Sequence, residues 1–158
     1  MLQGEKFYLT IKGLAVLKKE YKILRELRIN KTKKEAPKIL ESEDLNPEYL
    51  AFREDLSSLE SRLVELENIF KNVELIKTPL FKNRNIIDLG ATVKVKVDGQ
   101  EDEFTIVGTL EANPALGKIS NESPVGSALI GHREGDEVIV SSPTKTIYRI
   151  KEIKYQKS

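Results

Sequence analysis

The 158 residues predict an α+β protein: an antiparallel helical (coiled-coil) hairpin over residues 1–77, followed by a small antiparallel sheet domain with one short helix over residues 78–158. Three observations point there. Large apolar residues at Tyr49, Phe52, Leu56, Leu59, Leu63, Leu66, Phe70 and Val73 repeat at alternating spacings of three and four, a heptad seam that keeps one stripe of a helix against a partner. After Lys77-Thr-Pro79 the period drops to two, with Ala91-Thr-Val-Lys-Val-Lys-Val97 alternating cleanly ahead of an Asp98-Gly99 turn. Between the predicted helices lies an acidic turn carrying Glu41, Glu43, Asp44 and Glu48.

The first arm covers about Thr10 to Leu40. Phe7-Tyr-Leu9 leads in, and Thr10 is a suitable N-cap before Leu14, Leu17, Tyr21 and Leu24 at heptad spacing. Continued, that register meets Arg28, Lys31, Glu35 and Lys38, all charged, whereas Ile29, Thr32, Ala36 and Ile39 are more apolar. The facing stripe is therefore expected to shift by about one residue near Leu27. Pro37 removes a helical hydrogen bond, so the arm either kinks there or ends near Glu35. The second arm should run from Pro47, a favourable first-turn residue with Asn46 as its cap, to about Leu75. Glu48 then lies in the first turn, where the helix dipole favours a carboxylate.

Charge is divided between the arms. Lys12 to Lys38 holds ten Lys or Arg against three Glu, a balance of +7, while Glu41 to Glu67 holds nine acids against two Arg, a balance of −7. The arms can attract one another across the flanks of the seam, and unpaired lysines can also form a surface for a polyanion such as RNA. Cys is absent, which removes disulfide and thiolate chemistry, and a single His leaves histidine-based metal or triad chemistry almost no material. No apolar run approaches the roughly 20 residues of a membrane span. A cytoplasmic protein with no membrane partner is the expectation.

In the second domain, Glu103-Phe-Thr-Ile-Val107, Gly117-Lys-Ile-Ser120, Glu137-Val-Ile-Val140 and Thr146 to Ile153 read as further strands. Ser123-Pro124 should cap a short helix through Ile130, and His132 just after it reads as a surface residue.

The stretch Gly117-Lys-Ile-Ser-Asn-Glu-Ser-Pro-Val-Gly-Ser-Ala-Leu-Ile-Gly-His-Arg-Glu-Gly-Asp136 resembles the G-K-I-S-x-x-S-P-x-x-x-A-L-I-G-x-x-x-G-D pattern of the Gre family of bacterial transcript-cleavage factors, GreA and GreB. Tyr8-Leu-Thr10, Gly13, Leu17, Asp44-Leu45 and Glu48-Tyr49 fit the same family, so the resemblance spans nearly the whole chain. It implies an FKBP-like second domain that docks at the rim of the RNA polymerase secondary channel, through Gly117, Ser123, Pro124, Gly131 and Asp136. It also implies that the hairpin tip reaches the catalytic centre as a monomeric factor, where carboxylates help hold a second Mg²⁺ jointly with the polymerase and promote hydrolysis of the 3′ end of backtracked RNA. Asp44 matches the family's first tip acid and is the expected Mg²⁺ ligand; Glu43 or Glu48 would supply the second carboxylate. Arg53, Lys38 and Lys34 would form the basic patch toward RNA.

The chain departs from the family at the tip. Asp44-Leu-Asn-Pro-Glu-Tyr49 is two residues shorter than the family's D-L-S-E-N-A-E-Y, Pro47 falls where the second acid is expected, and Leu40 replaces an arginine. On this reading the chain is not itself an enzyme but acts on the polymerase in trans. Two alternatives stay open: a secondary-channel binder that competes with Gre factors without promoting cleavage, and a structural coiled-coil adaptor. A prolyl isomerase pocket would need an aromatic lining, for which this domain offers only Phe81, Phe104, Tyr148 and Tyr155.

Overall fold

The computed structural model describes residues 5–34, 47–141 and 143–156. The chain falls into two compact units, Leu14–Asn72 and the combination of Met1–Gly13 with Val73–Ser158. The N-terminal lead-in and the residues after Asn72 thus group with the sheet, whereas a boundary at 77 assigns both to the hairpin. Backbone pairing is the reason. Strand β1 (Phe7–Leu9) runs parallel to β2 (Val73–Leu75), with Phe7 opposite Val73 and Leu9 opposite Leu75. Ile76 N–H then donates to the Leu9 carbonyl at 2.8 Å.

The helical unit contains most of α1 (Ile11–Lys34) and all of α2 (Pro47–Lys71). Contacts run in opposite order along the two: the Tyr21 ring meets Phe70 edge-on at 5.6 Å, Arg28 approaches Glu60 at 3.7 Å and Lys31 approaches Asp55 at 3.6 Å. The helices are therefore antiparallel. Every seam position from Tyr49 to Phe70 is partly or fully buried, with Leu63 and Leu66 at the centre. Two details differ from expectation. Val73 is not helical, because α2 stops at Lys71 and the chain turns into β2. Ile69, outside the seam, is buried as deeply as the leucines.

The expected register shift on α1 does not occur. Ile29 and Thr32 are exposed, and Thr32 directs its hydroxyl to the carbonyls of Arg28 and Ile29. Lys31 keeps the original register: half-buried, it places its ammonium 5.7 Å from the centre of the Phe52 ring. A long aliphatic stem can cover apolar surface while its charge reaches water or a carboxylate, so a lysine serves where the seam pattern calls for a hydrophobe. Pro37 and the expected alternatives beyond it lie outside the described residues.

The sheet unit carries five strands in the order β5-β4-β3-β7-β6: β3 (Ala91–Val97), β4 (Gln100–Val107), β5 (Lys118–Ser120), β6 (Glu137–Val140) and β7 (Thr146–Tyr155). Asp98 and Gly99 both have positive φ, as the two-residue turn between β3 and β4 requires. The sheet is not wholly antiparallel. β5 runs parallel to β4, reached through two 3-10 turns, Thr109–Glu111 and Pro114–Leu116, which carry the chain back to the start of a new strand. Helix α3 (Pro124–Leu129) closes one face over a core that includes Val93, Val95, Ile106, Val138 and Ile150, with Leu129 fully buried.

Candidate functional site

Two stretches carry candidate chemistry: the segment between α1 and α2, and the segment from Gly117 to Asp136. At the first, Lys34 is the last residue of α1, and Pro47 and Glu48 open α2. Pro47 suits that place because its missing N–H would be unpaired in the first turn anyway. Glu48 is exposed in that turn, where the dipole favours its charge. Arg53 is exposed farther along α2. Asp44, Glu43, Lys38 and Asn46 lie outside the described residues. Among the described residues no three His, Asp or Glu side chains converge in a way that could hold a metal ion.

Cross-arm electrostatics hold the hairpin in register. Arg62 forms a two-pronged pair with Glu20, Nε to Oε1 at 2.7 Å and Nη2 to Oε2 at 3.1 Å, and reaches Glu65 at 3.0 Å. The arginine hydrogen bonds hold the Glu20 carboxyl below its usual range. Here the acid comes from the basic arm and the base from the acidic arm, a local reversal of the charge division that the sequence shows. Lys18, Lys22 and Arg25, spaced along α1, stay exposed.

At the second stretch, each singled-out residue has a definite local role. Gly117 adopts φ 72° after the second 3-10 turn, and a Cβ there would press on the Glu103 carbonyl. Ser123 caps α3, accepting from Gly126 N–H at 3.1 Å while donating to the Ser120 carbonyl at 2.6 Å. Pro124 follows as the first helical residue, exposed. Gly131 has φ 89° and ties the chain back through its N–H to the Ile87 carbonyl. Asp136 accepts from Arg133 N–H at 3.0 Å and faces His132 Nδ1 at 3.2 Å; the backbone hydrogen bond, then the His132 ring, lower its carboxyl below the ordinary range. His132 therefore has a turn-closing partner.

One residue that sequence reasoning passed over, Thr109, meets this stretch. Thr109 Oγ1 donates to Glu122 Oε2 at 3.0 Å and lies 2.9 Å from Ser120 Oγ, which in turn accepts from Glu122 N–H. No motif in the chain signals that meeting, because the parallel pairing of β4 and β5 creates it. The aromatics of the unit are mostly committed elsewhere. Phe104 and Tyr148 pack together against the core, and the Tyr155 hydroxyl bonds Ile86 and Asp88 of the backbone.

The family model "Transcription elongation factor, N-terminal" (GreA_GreB_N) matches residues 7–75, and "Transcription elongation factor, GreA/GreB, C-term" matches residues 82–155. The chain belongs to the GreA/GreB family of transcription elongation factors. Transcription elongation factor GreA of Thermomicrobium roseum is 39% identical over 145 residues, covering 90% of this chain and 93% of that protein. GreA of Clostridium acetobutylicum is 40% identical over 148 residues, covering 90% and 92%. The solved GreA factor homolog 1 (Gfh1) of Thermus thermophilus is 27% identical and covers 95% of this chain and 99% of that one; its TM-score of 0.42 is too low to carry a fold argument. With family membership shown, the Gly117 to Asp136 stretch falls inside the matched C-terminal part, and both helices fall inside the matched N-terminal part.

Proposed function

We propose that this GreA-type elongation factor binds RNA polymerase through its sheet unit, near Gly117 to Asp136, and presents the acidic segment between α1 and α2 to the polymerase catalytic centre. There it stimulates the polymerase's own hydrolysis of the 3′ end of backtracked RNA, releasing arrested complexes; the site of action is the cytoplasm. The observation that carries this reading is that both family matches together span residues 7–155 with only a short junction between them.

The chain's own contribution is positional and electrostatic. Asp44, with Glu43 or Glu48, supplies hard oxygen ligands and a negative potential at the tip, while Arg53, Lys38 and Lys34 supply positive charge near the same end of the helices for the RNA phosphates. A Mg²⁺ ion bound jointly with the polymerase would polarise an attacking water and offset charge on the phosphate. One or two carboxylates hold such an ion poorly alone, so the remaining ligands come from polymerase and substrate, and the chain alone is no hydrolase.

The test uses stalled, backtracked elongation complexes incubated with the purified chain. Short 3′ RNA fragments, absent with polymerase alone over the same interval, are the expected result. If the chain releases none and slows cleavage by a GreA of known activity, it is a channel competitor and the proposal is wrong.

A further inference from the structure

In the sheet unit, Leu80 and Phe81 are two large apolar residues side by side at the surface, 68% and 87% exposed. Single exposed hydrophobes are ordinary on a protein. This pair differs because the chain holds it in place. Pro79, with its fixed φ, precedes it, and Leu80 opens the 3-10 turn Phe81–Asn83, its carbonyl accepting from Asn83 N–H at 2.8 Å. Arg84 closes the loop: its Nε donates to the Pro79 carbonyl at 3.1 Å, and its guanidinium carbon lies 5.9 Å from the centre of the Phe81 ring. Both ends of the segment are tied to β7 and the residue after it. The Thr78 hydroxyl donates to the Gln156 carbonyl at 2.9 Å, and the Ile86 carbonyl accepts from the Tyr155 hydroxyl. Little conformational freedom is left to lose when a partner takes up the pair.

Charge along this segment has one sign. Between Glu74 and Asp88 the chain carries Lys77, Lys82 and Arg84 and no acid. Lys77 and Lys82 are exposed, and among the described residues neither ammonium has an ion-pair partner. An apolar centre with a basic rim fits an apolar pocket edged by carboxylates. The segment is also continuous with the end of the Gly117 to Asp136 stretch. Ile86 bridges Arg133, Ile87 N–H donates to the His132 carbonyl at 2.9 Å, and Gly131 N–H donates to the Ile87 carbonyl at 2.8 Å. Family membership does not account for the pair, because the two matches cover residues 7–75 and 82–155 and leave Leu80 and Phe81 between them.

We infer that Leu80 and Phe81 are a second anchor on RNA polymerase, seated in an apolar pocket of that enzyme whose acidic edge meets Lys77, Lys82 and Arg84. This rests on the polymerase-docking role proposed for the Gly117 to Asp136 stretch and extends that surface across the Ile86–Arg133 bridge. Buried aromatic anchors carry a large share of the binding energy at protein interfaces, while charges at the rim act mainly on the rate of encounter. A nucleic-acid base stacked on Phe81 would leave Leu80 in water, so the pair together favours a protein surface over RNA.

The test measures affinity of the full chain for core RNA polymerase. Leu80→Ser and Phe81→Ser remove the anchor at exposed positions, so both should fold, with thermal midpoints close to wild type. Each should weaken binding by roughly tenfold or more. Lys82→Glu should weaken it by roughly threefold at low salt and by less as salt rises. Pro124→Asp, which alters the exposed residue of the neighbouring stretch, is measured beside them. If the two serine variants bind as wild type does while Pro124→Asp binds weakly, the pair makes no contact and this inference is overturned, whereas docking through Gly117 to Asp136 holds. If the serine variants bind weakly and Pro124→Asp binds as wild type does, the pair is the anchor and the docking role of that stretch falls. Loss of labelled single-stranded RNA binding by Phe81→Ser, with polymerase affinity unchanged, would reveal a base-stacking site and overturn the inference too. A wild-type chain with no measurable affinity for the polymerase would sink both readings.

Discussion

Glu20 and Arg62 show what one pair of side chains contributes here. Both are roughly one-third exposed, so solvent screening limits a pair with good two-pronged geometry to about 0.5–1 kcal/mol. Glu20→Gln should lower the stability of the helical unit by about that much at neutral pH. The sign of its pH dependence follows from the lowered carboxyl pKa: the contribution is present above the ordinary Glu range near 4.5 and is lost as pH falls through the lowered folded value. Urea titrations of wild type and variant should converge below that range; a gap that persists in acid would mean the loss is packing and not charge. At this scale the sequence is hard to read. Lys31 stands at a seam position and covers Phe52, a role that its residue type conceals and that only the geometry of the stem reveals.

Among the elements, α2 was the most legible, because an unbroken three-four spacing permits one buried stripe. Leu66 is fully buried while Val64 is 64% exposed, so Leu66→Ala should cost about 2–5 kcal/mol and Val64→Ala less than about 0.5 kcal/mol, read from urea midpoints. Equal effects would mean the stripe is wrongly placed. Ile69 escaped the pattern because heptad logic counts one stripe and a helix in a folded unit can bury a wider one. The end of α2 escaped too: Val73 continues the spacing, but pairing with Phe7 across 66 residues of chain decides its conformation, and no local signal records that. The parallel β4–β5 pair was hidden for the same reason. The cap of α3 was local and visible as Ser123-Pro124; Ser123→Ala should cost about 1 kcal/mol in thermal unfolding by removing the acceptor for Gly126 N–H. If the same variant leaves stability untouched, another group caps α3.

For the whole molecule, a family pattern covering both ends of the chain settles the type of protein, and physical reasoning assigns tasks within it. The segment between Lys34 and Pro47 carries the acids on which the proposed activity depends, and the proposal gives Asp44 the leading part among them. Asp44→Asn preserves size and one acceptor oxygen but removes the charge a shared Mg²⁺ needs. The most direct measurement compares wild type and Asp44→Asn on backtracked complexes at saturating factor, with polymerase affinity measured in parallel. Release of short 3′ RNA should fall by orders of magnitude for the variant while its affinity stays within about threefold of wild type. Undiminished cleavage by Asp44→Asn would contradict the claim that this carboxylate carries the activity.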